Sequence, residues 1–191
     1  MPPALHQSRL VACAVAAGVI LSVTGPTMAQ DGPPNEVAGH HVTNAFMPGF
    51  PEEHDGLVRS SIQSRPQEGR IMATYGTPED DRNVQVLLYP LDKRGIEGNI
   101  ERAASYMAGG EIPVTRETVQ SPGGSEMECM TSRVGELGYT FCVAEVRGRA
   151  LNVQVGEVVA ADASELPIEV VQRSRDLAGD FVDSIEAAPD S

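Results

Sequence analysis

The stretch EMECMTSRVGELGYTFCVAEV, residues 126–146, decides how this chain is read. Two runs, EMECMTSR and YTFCVAEV, read as strands, the second rich in β-branched and aromatic residues, and VGELG between them reads as a turn. Gly135 and Glu136 suit the centre of a two-residue type II′ turn, which wants glycine at its first central position. The pairs then run outward as Val134 with Leu137, Arg133 with Gly138, Ser132 with Tyr139, Thr131 with Thr140, Met130 with Phe141 and Cys129 with Cys142. Hydrogen-bonded and non-hydrogen-bonded pairs alternate from such a turn. Cys129 and Cys142 fall on a non-hydrogen-bonded pair, where two backbones come closest. A cross-strand disulfide is therefore predicted. The competing use of this stretch is redox or copper chemistry at Met127, Cys129 and Met130. It requires a free thiolate, which an oxidised pair does not offer.

The start of the chain points to the compartment where such a bond persists. Residues 1–29 read as a signal peptide: Arg9, the apolar run LVACAVAAGVILSV, Gly25-Pro26, and small residues Thr27 and Ala29 ahead of Gln30. Fourteen helical residues rise about 21 Å, short of the ~30 Å hydrocarbon core, so no membrane span is expected after signal removal. Cys13 leaves with this segment, and the remaining pair is even, as expected of a periplasmic or secreted protein.

Removing residues 1–29 leaves 162 of the 191, enough for one domain. The remainder carries 13 Lys and Arg against 27 Asp and Glu, which excludes a nucleic-acid backbone binder and argues against anionic lipid surfaces. With no Trp and only eight Phe and Tyr, the core must come from Val, Ile, Leu, Ala and Met.

Working outward from the hairpin, residues 30–55 contain Pro33-Pro34, Pro48, Gly49 and Pro51 with little periodicity. They read as an irregular N-terminal arm or linker that docks through Phe46 and Phe50. Residues 56–188 read as the folded domain. Strands are expected over 57–64, 70–75, 84–88, 112–120 and 150–159, besides the central pair. GTPEDD, residues 76–81, makes an acidic hairpin tip. Ile96, Ile100, Ala103 and Met107 mark a helix over 96–108 that Gly109-Gly110 stops. Asp162 and Glu165 suggest a capping box for a closing helix with Ile168, Val171, Ala178, Phe181 and Ile185 on its apolar face and Pro167 in its first turn. Hairpin-connected strands interrupted by one helix and closed by another predict an α+β fold: a single antiparallel sheet of six or seven strands with two helices packed on it.

The hairpin ending in NVQVLLYPLD, the helix IEGNIERAASYMAGG, the strand YTFCVAEV and the closing helix ELPIEVVQRSRDLAGDFVDSIEA together resemble the PsbP-like α+β domain, over roughly residues 57–187. The resemblance lies in element order. It implies a non-catalytic role in binding partner proteins or assisting assemblies, and it transfers no site residue.

One cluster invites metal chemistry. His40, His41 and His54 are all the histidines beyond the signal segment, with Glu52, Glu53 and Asp55 beside the last. Imidazoles and carboxylates suit Zn²⁺ or Cu²⁺, which makes a periplasmic metal-binding protein the alternative reading. Adjacent His40 and His41 point opposite ways from an extended backbone, however, and the spacing fits no standard zinc pattern. No nucleophile elbow, H-E-x-x-H or phosphate loop is present, so no catalytic residue and no cofactor are assigned. The expectation is an exported, non-enzymatic binding or accessory protein whose partner is a protein or cell-envelope component, met through a sheet edge, a groove or the arm.

Overall fold

The computed structural model describes residues 42–108, 112–161 and 165–189. The segment read as a signal peptide, Cys13, His40, His41 and Asp162 lie outside the described residues. A 3-10 helix, Thr43–Gly49, leads into β1 (Glu53–His54), β2 (Leu57–Arg65), β3 (Arg70–Gly76) and β4 (Arg82–Pro90). Helix α1 (Gly95–Ala108) separates these from β5 (Val114–Gln120), β6 (Glu126–Val134), β7 (Leu137–Val146) and β8 (Arg149–Val158). Helix α2 (Ile168–Glu186) closes the chain. All eight strands join one sheet in the order β1-β2-β3-β4-β8-β7-β6-β5, and every pairing is antiparallel.

The central hairpin has the register the sequence predicts, from Val134 opposite Leu137 down to Cys129 opposite Cys142. Gly135 takes φ 63°, the positive φ a type II′ turn requires at its first central residue, and Glu136 does not take one. Cys129 and Cys142 are bonded, with Cα atoms 4.1 Å apart, the close spacing of a non-hydrogen-bonded pair. Met127 shares a core cluster with the two cysteines, whereas Met130 projects to the opposite face of the sheet and joins the other cluster.

Strand alternation divides the core in two. On one face Val84, Val86, Leu88, Leu151, Val153, Val155, Cys129 and Cys142 meet Leu177, Ala178, Phe181, Val182 and Ile185 of α2. On the other, Met130, Phe141, Val143 and Ala150 meet Ile100 and Ala104 of α1. The two helices thus lie on opposite sides of the sheet, with α1 over its β5–β7 half.

Two expectations need correction. The sheet has eight strands, not six or seven, because the two residues Glu53–His54, inside the segment read as an irregular arm, pair with Val58 and Leu57 of β2. That segment also sends Phe46 and Phe50 into the core, and both are buried. A Cβ on Gly49 would lie 2.6 Å from the Ile185 Cα, so only glycine lets the 3-10 helix sit this close to α2. The second correction is at the start of α2. The helix begins at Ile168 with Pro167 as its N-cap and no side-chain cap, so Glu165 precedes the helix instead of closing a box. Proline biases the residue before it away from helical geometry, and Leu166 cannot carry the helix back toward Glu165.

Candidate functional site

The sheet ends differently on its two sides. On the β1 side, the edge strand has two residues, β2 is broken by a register shift between Arg59 and Ser61, and Asn44 of the 3-10 helix accepts a hydrogen bond from Ser64 at 2.8 Å. Short, bulged and covered edges resist pairing with another chain. On the opposite side β5 is a regular seven-residue strand, VTRETVQ, with no proline and with most side chains exposed.

The direction of its free backbone groups follows from the adjoining turn. Ser121 N donates to Ser125 O at 2.8 Å, continuing the β5–β6 ladder one step past Gln120 and Glu126. Hydrogen-bonded pairs recur every second residue, so Thr115, Glu117 and Val119 bond to β6. The N–H and C=O groups of Val114, Arg116, Thr118 and Gln120 face the open side. Cys129 turns its backbone toward Glu117 on the same alternation, which leaves its pair with Cys142 free of backbone bonds and open to the disulfide.

Three contacts hold β5 from behind. Arg175 on α2 pairs with Glu117 at 2.7 Å. Asp183, two turns further along α2, accepts from Ser121 Oγ at 2.5 Å and from Gly123 N at 2.6 Å, which clamps the turn after β5. At the other end Val114 packs against the α1 cluster. The disulfide fixes β6 to β7 one strand behind. An edge anchored this way meets a partner with little ordering left to do.

A cleft lies on each side of β5. The larger, about 790 Å³, runs between the sheet and the start of α2, where Thr115, Glu117 and Thr131 face Leu166, Ile168 and Arg175. Ile168 is 73% exposed there. Three of the four charged groups of this cleft are engaged, Glu117 and Arg175 with each other and Arg133 with the carbonyls of Gly135, Ala160 and Ala161, and the fourth is Glu165. The second cleft, about 690 Å³, lies on the α1 side of the sheet and is lined mainly by glutamates around Arg116.

Of the three histidines singled out in the sequence, His54 alone is described. Its Nε2 lies 3.1 Å from Asp180 Oδ2, and its ring meets Phe181 edge-on at 5.4 Å. It therefore ties β1 to α2. Among the described residues no group of three or more His, Cys, Asp or Glu could hold a metal ion, and no helix is long and apolar enough to cross a membrane.

No protein-family model matches this chain, and no curated protein matches it in sequence.

The β5 edge was not singled out from the sequence, which suggested a sheet edge only in general terms. Residues 112–120 read as a strand, but strand order is a property of the assembled sheet. One signal was available: of VTRETVQ only Val114 and Val119 are apolar, the composition of a strand with little to bury.

Proposed function

We propose that this is an exported, non-enzymatic binding or accessory protein of the cell envelope, and that it engages a partner protein along β5. The observation that carries the reading is the edge itself: a regular strand with outward main-chain groups at four alternate residues, braced by Glu117–Arg175 and by Asp183. Strand addition to such an edge draws affinity from main-chain hydrogen bonds and specificity from alternate side chains. The disulfide and the predicted signal segment support export. The resemblance to PsbP-like domains, a group that binds and assists other proteins, points the same way by analogy.

The experiment is site-specific photocrosslinking in the native compartment, with the reactive group at Gln120 on β5 or at Ser64 on β2. A reproducible adduct from Gln120 and none from Ser64 is expected, on a protein found outside the cytosol without residues 1–29. Equal crosslinking from both positions, or an uncut cytosolic product, would overturn the reading.

A further inference from the structure

A strand added to β5 presents alternate side chains to the two clefts, and these differ in charge. On the α2 side Glu117 is already neutralised by Arg175. On the α1 side the cleft carries Glu97, Glu126, Glu128, Glu145 and Glu186 against Arg116 and Arg147. None of the five glutamates forms an ion pair among the described residues, whereas Arg147 already donates to the Ala188 carbonyl and stacks on Phe46. The α2-side cleft balances Glu117 and Glu165 against Arg133 and Arg175, so the excess of negative charge lies on the α1 side of the edge.

Glu128 brings that charge to the edge. Its Oε1 accepts from Thr118 Oγ1 at 2.7 Å, so the carboxylate of a β6 residue sits over β5. An incoming strand lies about 4.8 Å beyond β5. A Lys or Arg placed opposite Thr118 spans that gap, while an acidic residue there meets the like charge of Glu128.

We infer that the β5 edge binds an extended segment of a partner protein that carries Lys or Arg at alternate positions, facing the α1 side. The inference rests on β5 being the docking edge and adds the chemistry of what docks. The low basic content of this chain fits a partner that supplies the opposite charge, since complementary fields speed encounter and suppress wrong partners.

The test titrates the full mature protein with three capped peptides of equal length, Thr-Lys-Val-Lys-Thr-Lys-Val, the same peptide with Glu for Lys, and the same with Ser for Lys. The Lys peptide is expected to bind best. The pair of changes Glu126→Gln and Glu128→Gln should weaken it roughly 3- to 10-fold at low salt, with the difference shrinking at high salt, and should leave the Ser peptide unchanged. Thr118→Pro removes an outward N–H without touching the β6 ladder and should abolish binding of all three. Gln120→Pro serves the same purpose if the first variant does not fold. Equal binding of the Lys and Glu peptides, lost in the proline variant, would overturn the charge inference and leave the edge standing. No binding of any peptide, or binding that survives the proline, would overturn both.

Discussion

Reducing the disulfide should destabilise the protein by about 3 kcal/mol. Cys129 and Cys142 are 13 residues apart, and a loop of that length restricts the unfolded chain by about 3 kcal/mol on the chain-entropy account. Both cysteines are essentially fully buried beneath α2, so the two thiols must separate within a packed core, and any strain this brings adds to the loss. The hairpin around Gly135 is short, and any residual turn in the unfolded ensemble trims the figure. For a domain of this size the loss corresponds to a fall in Tm of roughly 6–12 °C. The assay is urea unfolding of the oxidised protein and of the protein held in a phosphine reductant, with thiols counted in denaturant at the end. A midpoint shift worth less than about 1 kcal/mol would refute the claim that the bond acts on the unfolded chain through its loop.

Two further predictions probe the fold. Phe46 is fully buried, with the guanidinium carbons of Arg147 and Arg149 at 4.8 and 5.3 Å from its ring centre; Phe46→Ala should cost about 3–5 kcal/mol, whereas a loss near zero would show that residues 42–54 are not part of the domain. Burial pushes Tyr75, Tyr89 and Tyr139 up to about 12. A raised phenol pKa contributes stability that is complete below pH ~10 and lost as pH climbs toward 12, so at least three of the four phenols should ionise only as the alkaline unfolding transition is crossed. Near-UV titration showing these tyrosines ionised at pH 10 with the fold intact would contradict this.

The parts of the fold legible in the sequence are those governed by local rules. The β6–β7 register follows from one glycine and a two-residue turn, and the alternation of Leu151, Val153 and Val155 fixes the buried face of β8. The β3–β4 hairpin around residues 77–81 is legible for the same reason. What escaped depends on distant partners. Glu53–His54 becomes a strand because β2 runs beside it, and two residues carry no period of their own. The apolar stripe of α1 shows that it packs but not on which face of the sheet, and it lies opposite α2. The site escaped for a related cause: β5 is open because the strand order of the sheet places it last, and Asp183 and Arg175 brace it from more than fifty residues away. Of the histidine window only His54 is described. His54 is drawn into a contact with Asp180 that sequence proximity to Glu52, Glu53 and Asp55 does not suggest.

The central claim is that β5 is an open edge that takes up a strand, and amide hydrogen exchange along VTRETVQ tests it most directly. In the free protein the amides of Arg116, Thr118 and Gln120 should exchange fast while those of Thr115, Glu117 and Val119 are protected, and saturation with the Lys peptide should slow the first set alone. Uniform protection along β5 in the free protein, or no slowing at Arg116 and Thr118 in the complex, would contradict the account.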